Sequence, residues 1–537
     1  MQYGVERILT MLIVSTAITG EVFVYVSIFV KYINDDMKSI QVKNFRSFQD
    51  SGKIEFKNIN LFLGKNSSGK SSILRLFPLF KQSILHELRG PLMWYDETYD
   101  YGSFVNVLNR NPGGDGKMKF LIEVKLPSKH CLDTRCEDCF VYEDKINPFL
   151  KDSATCLLEM VVDGDYKGTF LQEINLRLDN HEISLSSKKR TGSVEIYLDK
   201  VKLNTSPVKW LYKTTGLLPN MTSKEPTGQK FLIKKLFELS GFESLKTPDV
   251  DELINYSSFL EENIYEYLKG LNHNPLAKVL IDSYKPNTER FSLLCGNMNL
   301  FAIERILLFI DKLLQVDFRK SSYIEPIRFG FERYIRNKDF TVNEITSSGN
   351  NVVDYIQSLS KKKKNEFVKF IKESLGIEIL ISNENSKTYT DNQSIYVVVD
   401  GEKDNIVDVG QGYSQVLPIA VMLWDVASKQ HKCEFTDTVV IEQPEVHLHP
   451  SMQADMVKLF LNALKLSKKR NNPIRLVVET HSPVIVNRIG KMIRLNEVKS
   501  EEVSVFLFNK ENGISSIQST SYGDDGRIKK WPIGFLD

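Results

Sequence analysis

After residue 36, short apolar stretches bounded by turn-forming residues set the pattern of the chain. Lys38–Val42, Lys53–Phe56 and Ile59–Leu63 alternate or run apolar and predict strands. Met118–Lys125, Leu157–Val162, Phe170–Leu178 and Ser193–Leu198 extend the series and together predict a mixed sheet. Between Lys230 and Leu314 the spacing lengthens. Phe231–Phe237 and the stripe Leu300, Ile303, Leu307, Ile310 and Leu314 step by three or four residues, which keeps one helical face apolar for core packing. Further on, Thr438–Glu442 and Ile474–Glu479 are unbroken buried-strand runs, each ending in an acid. No internal repeat or long heptad series interrupts this order. The pattern predicts an α/β protein in which residues 37–228 and 321–537 form two halves of one head, with a helical insertion at 229–320.

Chemistry enters at the end of the Ile59–Leu63 run. Gly64, Lys65, Asn66, Ser67, Ser68, Gly69, Lys70, Ser71 and Ser72 match the phosphate cradle GxxxxGK[ST] without a mismatch. Gly64 and Gly69 let the backbone curl so that successive N–H groups face phosphate oxygens. Lys70 reaches the β- and γ-phosphates, Ser71 supplies a hydroxyl to Mg²⁺, and Ile73–Phe77 reads as the helix facing the phosphates. The segment predicts a nucleoside triphosphate site.

Residues 1–36 break the pattern. Ile8–Val30 is almost wholly apolar and spans the roughly 20 residues a bilayer requires. Against a membrane anchor stands Glu21 near its centre, costing about 2.5–3.5 kcal/mol on insertion. The competing reading is a mis-assigned start, with the head beginning at Met37. Elsewhere, 70 Lys+Arg against 68 Asp+Glu gives a net charge of +2, so no strong global attraction to nucleic acid is expected. The 6 cysteines do not form a secreted disulfide framework, which favours a reducing cytoplasm.

Glu442 ends a strand where a carboxylate can approach nucleotide-bound Mg²⁺. Thr480-His481-Ser482 ends another, and His481 could reach a γ-phosphate. With Asp408-Val409-Gly410-Gln411-Gly412-Tyr413-Ser414-Gln415, Glu442-Gln443-Pro444-Glu445-Val446-His447-Leu448-His449-Pro450 and Glu479–Pro483, the chain resembles ABC-type ATPases of the SMC/RecF/OLD class. These segments are similar to the signature, the Walker B motif with its D-loop, and the switch histidine. Lys43–Phe48 (including Arg46), Tyr323–Arg328 and Tyr522–Phe535 extend the likeness to stand-alone bacterial ABC-like ATPases of antiphage systems, the Septu ATPase being the nearest kind. The resemblance covers both ends well and about Ser128–Lys320 poorly.

It implies ATP and Mg²⁺ as cofactors, and a homodimer or higher oligomer in which Gly410, Gly412, Ser414 and Gln415 of one copy close on ATP held by another. It also implies a separate effector, such as a nuclease. Where that class usually carries a glutamate to activate water, this chain has Gln443. Glutamine orients water but accepts no proton, so hydrolysis is expected to be slow, with Glu445 as the lesser candidate base. A RecF-like DNA-repair ATPase is the alternative; Lys361–Lys364 would then contact DNA rather than simply being solvated. An OLD-type nuclease is disfavoured, because the stretch after Ser482 is short for an added metal nuclease domain. Finally, His130, Cys131, Cys136 and Cys139 have spacing suited to one Zn²⁺, with His130 or Cys156 as fourth ligand; a loop of free thiols is the other reading.

Overall fold

The computed structural model describes residues 37–531 except 97–98, 126–154, 166–167, 179–180, 188–191, 206, 213–215, 224–230, 232–233, 236–252, 254–260, 329, 334, 337–341, 383–391, 400 and 431–434. The apolar stretch 8–30, the His130–Cys139 cluster and the end of the closing segment lie outside the described residues.

Two large sheets organise the head. A 6-stranded sheet has the order Ser322–Ile324, Asp437–Glu442, Ile474–Glu479, Ile59–Gly64, Val503–Glu511, Ile514–Thr520. Its neighbours pair in parallel, apart from the final antiparallel hairpin. Every residue of Ile59–Gly64, Asp437–Glu442 and Ile474–Glu479 is buried, which explains their largely apolar runs: both faces are covered. The period-2 alternation of strand side chains then feeds two cores. Phe62, Val440, Val477 and Phe506 enter one, while Leu61, Leu63, Val439, Ile441, Leu476 and Val478 enter the other.

The first core is shared with a 9-stranded sheet built from residues 37–202, whose pairings are antiparallel. The sequence suggests one mixed sheet around the nucleotide strand; the structure separates the parallel from the antiparallel strands, with Ile59–Gly64 leaving its sequence neighbours for the parallel set. The second core is roofed by Lys361–Leu375, Gln411–Ser428, Pro450–Arg470 and Pro483–Arg494.

In the middle region lie helices Glu261–Gly270, Pro275–Ser283 and Glu289–Arg319. Thr288 Oγ1 caps the last by accepting from Phe291 N at 3.2 Å. Its 31 residues are long and apolar enough to cross a membrane, yet packing accounts for them. Phe291, Leu294 and Met298 join a third core with the shorter helices, and Leu300, Ile303, Leu307, Ile310 and Leu314 fill the first. The helix therefore ties the insertion to the head.

Candidate functional site

The strand Ile59–Gly64 delivers its loop directly into the helix Lys70–Leu74. Close packing fixes both glycines. A Cβ on Gly64 would lie 2.4 Å from Phe508 O, and one on Gly69 would lie 2.6 Å from the Phe48 ring, at a φ of +102° that disfavours side chains. Lys70 Nζ donates to Gly64 O and Lys65 O, both at 2.9 Å, and so holds the loop curled. Burial lowers the Lys70 pKa, opposed by the nearby Glu479 carboxylate.

A cavity of about 900 Å³ opens over this loop. Its walls include Asn66–Ser72, Arg46, Tyr101, Arg110, Gln443, Glu479 and Lys510. The cationic groups Arg46, Lys70, Arg110 and Lys510 outnumber the one carboxylate there, which suits a polyanion. Arg46 stacks its guanidinium 5.0 Å above the centre of Tyr101, and its backbone N–H donates to Val107 O at 2.6 Å. Ser68 Oγ is buried without a hydrogen-bond partner among the described residues. An orphaned donor in a cationic cradle fits a phosphate ligand.

The strand-end acids separate into different tasks. Glu442 is 1% exposed, and both its oxygens are engaged: Oε1 accepts from Arg75 Nε at 2.8 Å and from Tyr323 OH at 2.8 Å, and Oε2 accepts from Arg75 Nη2 at 2.9 Å. Burial opposes the Arg75 charge, but Glu442 overrides it and holds the guanidinium pKa above its ordinary value. Burial raises the Glu442 pKa despite that partner. The expected Mg²⁺ ligand is thus committed to an ion pair. The carboxylate beside Ser71 is instead Glu479, whose Oε2 accepts from Ser71 Oγ at 2.7 Å and whose Oε1 lies 3.7 Å from Lys70 Nζ. Burial raises the Glu479 pKa, with Lys70 and Ser71 pulling the other way.

Gln443 lines the same cavity in a left-handed conformation, φ 44°, its N–H donating to Glu479 O at 2.8 Å. Glu445 has another role. Its carboxylate accepts from Thr480 Oγ1 at 2.8 Å and from His481 N at 2.6 Å, bracing the histidine turn rather than standing free as a base. Burial, then the Lys70 charge, pushes the His481 pKa down to about 4, so the ring is neutral near pH 7. Its Nε2 is buried and has no partner among the described residues.

Gly410, Ser414 and Gln415 sit elsewhere. Gly410, φ +92°, precedes the helix Gln411–Ser428, and Gly412 lies in its first turn. With Arg328, Val446 and His447, residues Gly410, Ser414 and Gln415 line a second cavity of about 400 Å³ that shares no wall residue with the first; Gly412 does not line it. Arg328 Nη2 donates to Glu442 O at 3.0 Å and Gln443 O at 2.9 Å, linking the two regions. Burial lowers its pKa to about 10, partly countered by Glu445. Sequence spacing does not mark Arg75, Tyr323, Arg328 or Glu479 as site residues, although Tyr323 and Arg328 bound the Tyr323–Arg328 run and Glu479 closes Ile474–Glu479.

No cluster of three potential metal-ligating His, Cys, Asp or Glu side chains occurs among the described residues. Cys156, considered above as a fourth Zn²⁺ ligand, is buried in the strand Thr155–Asp165, its thiol pKa pushed up to about 12 by burial. That environment disfavours the thiolate a metal needs.

A parallel sheet with a phosphate loop and two acid-ended neighbouring strands is the architecture of a nucleotide hydrolase. The AAA ATPase domain model (AAA_15) matches residues 37–486, most of the chain, and the protein belongs to that family of ATPases. Curated proteins yield no significant match. Similar solved structures include an SMC head bound to the C-terminal winged-helix domain of ScpA (10% identity, TM-score 0.34, covering 90% of this chain and 98% of that one). Another is an SMC head with an extended coiled coil bound to the C-terminal domain of ScpA, from Pyrococcus furiosus (13%, 0.33, 91% and 96%). A third is the SMC head domain from Thermotoga maritima (11%, 0.32, 90% and 98%).

Proposed function

We propose that this ATPase is an ABC-like switch that binds ATP in its cationic cavity, hydrolyses it slowly and works as a homodimer. In this reading it acts in the cytoplasm as a sensor or regulator of an antiphage defence system and controls a separate effector such as a nuclease. The observation that carries the dimer is the separation of the two cavities. The phosphate loop and the Gly410–Gln415 segment line different cavities of one chain, and two chains related by a two-fold axis can present each segment to the other.

The proposed roles follow from the geometry. The loop N–H groups and Lys70 bind the phosphates, Ser68 donates to them, and Ser71 with a neighbouring carboxylate would hold Mg²⁺. When bound, Mg²⁺ offsets charge on the phosphate oxygens. Gln443 orients water at the cavity wall. It takes no proton, which supports slow turnover and a long-lived ATP state. His481 does not line the cavity, and its Nε2 is buried without a partner among the described residues, so its reach to the γ-phosphate rests on the resemblance. Effector control and antiphage sensing rest on the resemblance in the signature and switch segments.

The test of the composite site is Ser414→Arg. One chain should still bind ATP, while ATP-dependent dimerisation, hydrolysis and effector control should fail together. Light scattering with and without ATP reads the first, and phosphate release reads the second. Normal hydrolysis by a monomeric variant would sink the composite-site proposal.

A further inference from the structure

Sheet order decides which acid is nearest the phosphate loop. Ile474–Glu479 lies between Asp437–Glu442 and Ile59–Gly64, with Glu442 opposite Glu479 and Glu479 opposite Phe62. Neighbouring strands are about 4.8 Å apart, so Glu442 starts one strand further from the loop. Its side chain turns to Arg75 and Tyr323, which together occupy both carboxylate oxygens. Releasing it would leave a partly buried guanidinium without its counter-charge.

Glu479 is placed otherwise. It lines the cavity, touches Ser71 Oγ at 2.7 Å and stands 3.7 Å from Lys70 Nζ. At 2% exposure, one hydroxyl and one loose ion pair leave carboxylate lone pairs in hand beside the loop. A serine hydroxyl next to a carboxylate is a hard oxygen set of the kind a small divalent cation takes alongside phosphate.

We propose that Glu479 is the acidic ligand of the divalent cation that accompanies the nucleotide, and that Glu442 is a positioning residue that fixes Arg75 beneath the loop. The assignment rests on the ATP-binding reading above. It moves the metal-binding acid from one strand to the next. Arg75, which follows the helix Lys70–Leu74 directly, is then what makes Glu442 unavailable.

The experiment titrates fluorescent ATP into wild type, Glu479→Gln and Glu442→Gln, once with Mg²⁺ and once with EDTA, and follows Mn²⁺ binding to each nucleotide complex by electron paramagnetic resonance. Glu479→Gln should lose Mg²⁺-dependent tightening and bind Mn²⁺ about 10- to 100-fold more weakly. Its affinity in EDTA should hold or improve, since a negative charge has left the phosphates' surroundings. Glu442→Gln should keep its metal dependence while melting at lower temperature. The reverse pattern, with Glu442→Gln blind to metal and Glu479→Gln responsive, overturns the assignment. Should Glu479→Gln fail to fold by circular dichroism, Glu479→Asp replaces it: a shortened side chain should weaken Mn²⁺ binding, and unchanged Mn²⁺ affinity refutes the proposal. Wild type that binds no ATP in either buffer overturns the ATP reading, and this assignment with it, a result distinct from a metal-blind variant.

Discussion

Replacing Gln443 by glutamate puts a proton acceptor on the cavity wall without moving the backbone that carries it, because its N–H remains bound to Glu479 O at 2.8 Å. The new carboxylate would share the region with Glu479, whose pKa burial already raises. Both side chains line one cavity, so the like charge of Glu479 raises the new carboxylate above the ordinary glutamate value. That shift moves it toward the operating pH, where a general base is most effective. Lys70, 3.7 Å from Glu479, offsets part of that repulsion. The expected gain is about 10²-fold or somewhat more in the chemical step, toward the lower end of what general base catalysis supplies. The assay is single-turnover phosphate release between pH 5.5 and 8.5. The variant should acquire a limb rising with pH through the new group's pKa, which wild type lacks. An unchanged rate and an unchanged profile would refute the water-orienting role of Gln443. Faster turnover with effector control intact would remove the ATP-held switch while leaving the catalytic argument standing.

Arg75→Met should destabilise the fold by about 3 kcal/mol, the low end for breaking a buried ion pair, because the Arg75 side chain is 27% exposed against 2% for Glu442. Burial raises the Glu442 pKa, and loss of the cation raises it further. Protonation at lower pH therefore relieves the variant, so urea denaturation at pH 7.5 and pH 5.5 should show a smaller deficit at the lower pH; an equal deficit at both is the contrary result. Lys70→Ala removes the cation that bridges the loop carbonyls and should weaken ATP binding by about 10- to 100-fold or more, as charged hydrogen bonds are worth roughly 1.5–3 kcal/mol; calorimetry showing wild-type affinity would overturn the site. His481, with a pKa near about 4, should show no imidazole titration between pH 5.5 and 8 in NMR spectra. A midpoint near 6.5 would contradict its burial.

What could be read from the chain follows the range of the forces involved. The phosphate loop was legible because its glycines, lysine and serine act within a few residues of backbone. The acid-ended strands were legible because burial on both faces leaves a largely apolar run. His181–Ser187 is a strand in the antiparallel sheet, yet only Ile183 and Leu185 mark its inward face among serines, too weak an alternation to separate from loop. Division into two sheets was also hidden: Ile59–Gly64 and Met37–Phe45 carry similar local patterns, and only pairing with strands more than 400 residues downstream assigns the first to the parallel set.

The acids show the same limit at the level of chemistry. Glu442 and Glu479 each end a buried strand, and the motif pattern along the chain assigns the metal to Glu442. Their difference arises from Arg75, which stands directly after the phosphate-loop helix and meets a carboxylate 367 residues away. Once that pair forms, Glu442 supports the loop from beneath, and Glu479, one strand closer, is left facing Ser71. A motif read along the chain identifies two carboxylates of the right kind. Sheet order, together with the position of one arginine, decides which of them can act on a ligand.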